Sequence, residues 1–277
     1  MIGAIIDQLR EALETWNEKL AEIWVLLTQS PSEFKGGHIW SVIEDVHGAL
    51  TAIGLSLLVL FFVIGMVQTC LSYQEVKRPE QAVKLFLRFV ISRAIVVYGL
   101  DIMLKIYEIV QGMLSAVIAK VGLTPANNIL LPDEVITAIE DCGFFESIAL
   151  YALSLIGGLF ITIIAFVIIL TVYGRFFKLF LYTAVSPVPL STSASEKTQH
   201  IAVSFIKSYT GVCLEGLIVM LSCVIYTAFA TSPPGVNTDS SASGMVWVYL
   251  GELIFNMLIL VGIVKASDHT VKEMMGL

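Results

Sequence analysis

Three long runs in this chain contain no aspartate, glutamate, lysine or arginine: Val46–Gln74, Ser147–Gly174 and Gly216–Thr238. Each exceeds the roughly 20 residues a helix needs to cross a bilayer. They impose one class, a polytopic helical membrane protein. Only 14% of the residues are charged, against about 25% in a soluble domain, so a soluble fold would leave its surface far too apolar. Mean hydropathy is +0.85, which points the same way.

The order of segments follows from spacing. Residues 3–27 read as an amphipathic helix, with Ile6, Leu9, Leu13, Trp16, Leu20, Ile23 and Leu27 at steps of three and four. Asp7, Glu11, Glu14, Glu18 and Glu22 occupy much of the other face. Lipid-seeking helices are rich in Lys and Arg, so this one is expected to pack on protein or lie shallowly at the interface, anchored by Trp16 and Trp24. "TQSPSEFKGG" then breaks the chain. The expected division is an extracytoplasmic helix and turn over 1–37 and a membrane domain over 38–277. Crossings are expected at about 50–71, 83–104, 148–172, 211–229 and 246–264. The second belongs to a long helical segment that starts near Glu80 and can continue to Lys120. An outer loop covers 122–146, with room for a short helix from Pro132 to Asp141. The fold class is therefore all-α, with about five transmembrane helices, the amphipathic helix, and an interfacial or re-entrant segment over 176–190.

That last segment is placed by charge. Lys77, Arg78, Lys84 and Arg88 flank the first and second crossings, and Arg175, Lys178, Lys197 and Lys207 follow the third. The loop 122–146 holds five acids and no base, and the fourth loop only Asp239. Positive residues stay cytoplasmic. Five crossings with the N-terminus outside and the C-terminus in the cytoplasm satisfy this pattern. A sixth crossing at Phe176–Leu190 would separate the bases of the third loop and move the C-terminus outside. Pro187 and Pro189 stop helix continuation there. Arg175, Lys178, Pro187 and Pro189 are accordingly candidate cytoplasmic docking residues.

A second group consists of polar residues in apolar surroundings. Arg88 and Arg93 interrupt the second crossing, and Asp101, Lys105, Glu108, Gly112 and Ser115 form one stripe. Asp101 and Lys105 can pair one turn apart. Glu215 opens the fourth crossing, and Glu252 and Asn256 form an i, i+4 pair on the fifth. Charge facing lipid is expensive. Arg88, Arg93, Asp101, Lys105, Glu215, Glu252 and Asn256 are therefore candidate path-lining groups. The plainer reading is a snorkelling Arg88 and polar helix ends at the interface, which leaves Arg93 unexplained.

Recognised chemistry is absent from the sequence. It has no nucleotide-binding glycine loop, no HExxH and no CxxC, and Cys70, Cys142, Cys213 and Cys223 have neither metal-ligand spacing nor a disulfide pattern. No cofactor or metal is expected, and the protein is not read as an enzyme. A membrane-embedded enzyme is one alternative. A small-molecule or ion transporter or channel is another, with Gly157–Gly158 softening the third crossing. Such transporters carry inverted repeats, and no internal repeat is visible here. The basic residues sit at membrane edges, so no direct nucleic-acid surface is evident.

The run "GGLFITIIAFVIILTVYGRFFKLFLYTAVSPVPLSTSAS" passes from a long apolar helix to a basic-aromatic junction, a proline-containing apolar segment and a small-residue loop. "GVCLEGLIVMLSCVIY" follows as the fourth crossing. This arrangement resembles the TrbL-like family, the polytopic inner-membrane components of type IV secretion and conjugal-transfer systems. The resemblance runs loosely from Leu50 onward and is strongest to shorter versions from Gram-positive mobile elements. It implies a non-catalytic channel or channel-scaffold subunit that assists DNA and protein transfer. It also implies homo-oligomers in the bilayer, with other secretion membrane subunits, cytoplasmic secretion ATPases and a transferred DNA–protein complex as partners.

Overall fold

A computed structural model describes residues 2–71, 79–121, 129–229 and 242–277. Among the described residues the secondary structure is helical, with no β-strand. In chain order the helices are α1 (Ile2–Thr28), α2 (His38–Leu71), α3 (Pro79–Val97), α4 (Gly99–Val121), α5 (Asp133–Glu140), α6 (Phe144–Val185), α7 (Pro187–Ser191), α8 (Gln199–Phe229) and α9 (Ala242–Met275). Short 3-10 turns occupy Phe34–Gly37 and Thr192–Ala194. Lys77, Arg78, the start of the expected outer loop and most of the expected fourth loop, Asp239 included, lie outside the described residues.

By length and composition, five described stretches can cross a membrane: Phe34–Gln68, Gly99–Lys120, Phe144–Val185, Gln199–Phe229 and Ser243–Met275. Two differ from the sequence expectation. The second expected segment, 83–104, straddles an interruption at Tyr98. Backbone hydrogen bonds from Tyr98 to Ala94 (2.9 Å) and from Ile102 to Tyr98 (3.0 Å) carry the ladder past it. The helical segment thus does run from about 80 to 120, with its apolar crossing length in α4. Residues 176–185, expected within an interfacial segment, are the last turns of α6. No proline or glycine interrupts them, and the chain turns only at Ser186.

The chain divides into two compact units. One comprises Met1–Thr28, Ala116–Gly174 and Gly216–Ser267, the other Gln29–Ser115, Arg175–Glu215 and Asp268–Leu277. Helices α6, α8 and α9 contribute to both.

The first unit is organised by α1. All seven apolar positions read from the sequence are buried, joined by Ile5, Ala12 and Leu26. The face lies along α6: Ser154 donates to the Gln8 side-chain carbonyl at 3.4 Å, and Tyr173 donates to Glu22 at 2.7 Å. A methyl built on Gly158 would meet Ala12 Cβ at 3.6 Å, and one on Gly157 would meet Leu250 of α9 at 3.0 Å. The glycine pair therefore admits two neighbours to α6, a use of small residues common between membrane helices, and α6 stays helical through it. Asn17 clamps the chain before α5 by exchanging two hydrogen bonds with Ile129, at 3.0 and 3.1 Å. Glu146 accepts the Ser243 N–H (3.1 Å) and hydroxyl (3.0 Å) at the start of α9, where a carboxylate suits the positive end of the helix dipole.

The second unit is built around the proline-containing connection between α6 and α8. Pro187 sits at the start of α7 and is buried, as are Leu190, Ser191, Thr192 and Ala194. Helix α2 approaches so closely that a methyl on Gly54 would lie 2.7 Å from the Pro187 carbonyl oxygen. Gly65 faces Ser195, and Gly99 faces Leu190 and His47, each at 3.2–3.5 Å. Phe34 stacks on Phe176 at 4.6 Å. The turn before α2 uses left-handed backbone at Lys35, Gly36 and Gly37. Its Phe34 is thereby turned inward and almost fully buried.

Candidate functional site

Three helices of the second unit bring charged groups together, of which Arg175 and Glu215 are buried. The last turns of α6 carry Arg175 and Lys178, α8 carries Glu215, and the end of α9 carries Asp268 and Lys272. Lys178 is the hub. Its ammonium lies 3.5 Å from Glu215 and 3.0 Å from Asp268. Asp268 also takes Lys272, at 2.8 Å. Glu215 is almost fully buried, whereas Lys178 retains 42% exposure. The snorkelling lysine thus keeps its charge partly wet while neutralising a dry carboxylate.

Arg175 is the deeper cation, 2% exposed. Its guanidinium carbon lies 5.1 Å from the Phe176 ring centroid, within cation–π range. It is electrostatically close to Tyr107, Cys213 and Glu215. Nε and Nη2 have no hydrogen-bond partner among the described residues. Tyr107 donates to the Gln29 carbonyl at 2.8 Å, and buried Tyr209 donates to the Met103 carbonyl at 3.0 Å, so the tyrosines around the charges tie α4 to the turn before α2 and to α8.

The other expected residues are dispersed. Arg88 reaches Gln199 at 3.4 Å and Glu196 at 3.7 Å. Arg93 is exposed and has no polar partner among the described residues. The stripe Asp101, Lys105, Glu108, Gly112, Ser115 is one exposed face of α4, opposite buried Met103, Tyr107, Val110 and Leu114. Lys105 pairs with Glu108 at 2.6 Å; the expected pairing with Asp101 is absent, because the i+3 carboxylate is already in reach. Glu252 is exposed and Asn256 half-buried on α9. Of the docking set, Arg175 and Pro187 are buried and Pro189 is half-buried, so the surface near them is offered by exposed Glu196, Lys197 and His200.

Asp268, Lys272 and Tyr107 escaped the sequence reading as site residues. The first two looked like a charged tail. A signal was present, since Lys265, Asp268 and Lys272 recur at three- and four-residue spacing and continue the helical period of α9. Among the described residues, no group of three His, Cys, Asp or Glu could hold a metal ion.

Apolar helices of crossing length and glycine-mediated packing define a multi-pass α-helical membrane protein. Residues 16–187, more than half of the chain, match the family described as TrbL/VirB6 plasmid conjugal transfer like protein, and the chain belongs to that family. The match begins within α1, earlier than the resemblance suggested, and ends at Pro187. It includes the α6 run through "SPVP" and leaves out "GVCLEGLIVMLSCVIY". Neither the curated proteins nor the solved structures contain a match.

Proposed function

We propose that this protein is a non-catalytic channel or channel-scaffold subunit of a conjugative type IV secretion system. It works as a homo-oligomer in the cell membrane, beside other secretion membrane subunits and cytoplasmic secretion ATPases that supply the energy. One observation carries the assembly reading. Helix α6 exposes Ile148, Leu155, Leu159, Phe166, Leu170, Phe177 and Leu181. Between Ile148 and Leu181 the helix covers about 50 Å at 1.5 Å per residue. The hydrocarbon core is about 30 Å thick, and a 40° tilt lengthens that path only to about 39 Å. The remainder of the apolar stripe reaches past the hydrocarbon core, which favours a protein neighbour over lipid along part of its length. Family membership supports a second copy and other transfer-system subunits as those neighbours.

In this reading the Lys178–Glu215–Asp268 cluster is a clamp that fixes the last turns of α6 and α9 to the middle of α8 inside the second unit. Exposed Glu196, Lys197 and His200 offer the cytoplasmic contact surface. Deleting the gene should abolish transfer to recipient cells, and the purified protein should run as a multimer. Leu181→Lys should shift it towards monomer and reduce transfer at least about tenfold, the scale of one disrupted interface anchor. A monomeric wild-type protein that supports solute flux alone in proteoliposomes would replace this reading with a transporter.

A further inference from the structure

Helix α3 has a face that ranks its residues by polarity. Lys84, Arg88, Ile91 and Ile95 recur at steps of three and four, so two cations lead into two aliphatic side chains along about 16 Å of helix. Helix α8 repeats the order, from Gln199 through Ala202 and Val203 to Ile206. Arg88 meets Gln199 at 3.4 Å, so the polar ends of the two walls coincide. Between them lies a cavity of about 710 Å³, within the usual 300–1,000 Å³ of ligand pockets. Leu190 closes its apolar side, and Ser92 and Ser193 add hydroxyls. Along its rim Leu87, Ile91 and Val203 are about half exposed, so an apolar chain could enter sideways.

We infer that this cavity binds an anionic glycerophospholipid, with the phosphate at Lys84 and Arg88 and an acyl chain along Ile91, Ile95 and Ile206. The charges favour an anion. Lys84 has no polar partner among the described residues, and Arg88 has only the 3.4 Å contact to Gln199 and a 3.7 Å contact to Glu196. Glu196 is 87% exposed, so it neutralises the pair weakly. A phosphate would offer the guanidinium shorter, paired acceptors. Basic pockets between membrane helices hold lipid headgroups by this chemistry. The aliphatic walls distinguish a lipid from a free phosphate, which would leave them empty. The inference needs only the membrane location and stands apart from the secretion reading.

The test uses the full chain in neutral detergent. Phosphatidylglycerol, phosphatidylcholine and inorganic phosphate are compared by native mass spectrometry and thermal shift. Phosphatidylglycerol should be retained and raise the melting temperature; phosphatidylcholine should do so far less, and inorganic phosphate not at all. Lys84→Gln with Arg88→Gln should weaken phosphatidylglycerol binding about tenfold or more, since each cation near a phosphate contributes about a factor of five. Val203→Trp, at an exposed rim position, should fill the apolar side and exclude the lipid while leaving both cations and the lipid-free melting temperature unchanged. It serves as the deciding variant if the double substitution does not fold. Equal retention of phosphatidylcholine, equal stabilisation by inorganic phosphate, or unaltered binding in Val203→Trp would each overturn the proposal.

Discussion

Glu215 and Lys178 differ in exposure, and that difference decides what their substitution does. Lys178→Met strands a buried carboxylate and removes the hub between α8 and α9. It should lower stability by about 3 kcal/mol, the low end for breaking a buried pair because the lysine is partly wet. Lys178→Met with Glu215→Leu removes both charges and should recover most of that loss. Melting temperatures of the detergent-solubilised variants check this, and a double variant no better than the single would refute the clamp. A second residue-scale contrast concerns two glycines of α2. At Gly54 an alanine methyl meets a backbone oxygen at 2.7 Å, whereas at Gly65 it meets the Ser195 hydroxyl at 3.2 Å. Gly54→Ala should cost about 1–3 kcal/mol through forced backbone displacement, and Gly65→Ala less, since its nearest contacts, the Ser195 hydroxyl and Cβ at 3.2 and 3.3 Å, need give by only a few tenths of an ångström. These neighbours were invisible in sequence. Arg175 shows why: its charge marks a boundary that can be counted, but its neighbour Tyr107 is brought to it by the register of α4, some seventy residues earlier.

Helices were more legible than their partners. The spacing of Leu9, Leu13, Trp16, Leu20 and Ile23 gave α1 and its buried face, because a 3.6-residue period is local information. That the buried face meets α6, and not lipid, rests on Ser154 and Tyr173, more than a hundred residues away. Position 158 tests this at the level of the helix pair. Gly158→Ala should be tolerated, since its methyl finds ordinary contact distances, while Gly158→Leu should dislodge α1. Proteolysis within residues 2–28, slow in wild type, should become fast. Unchanged cleavage would show that α1 is held elsewhere. The interruption at Tyr98 was not legible, having no proline to announce it. The glycine beside it matters through the crowding of Leu190 and His47 around Gly99, a tertiary cause.

At the scale of the whole molecule, sequence charge supplies sidedness, and length supplies membership of the bilayer. We predict a cytoplasmic connection between α6 and α8 and a cytoplasmic C-terminus, from the bases that flank them. With Cys70, Cys142, Cys213 and Cys223 replaced, single cysteines at Lys197 and Gly276 should both resist an impermeant reagent in intact cells and react after lysis. Labelling of both in intact cells would mean a sixth crossing at 176–190.

The pairing of α1 with α6 also has a consequence in time. Gln8 and Ser154 are 146 positions apart, and chains are made at about 5–20 residues per second. The apolar face of α1 therefore waits roughly 7–30 s for its partner to be synthesised. Over that interval it must rest on the membrane surface or on a chaperone, and its row of carboxylates keeps it soluble enough to be released when α6 arrives.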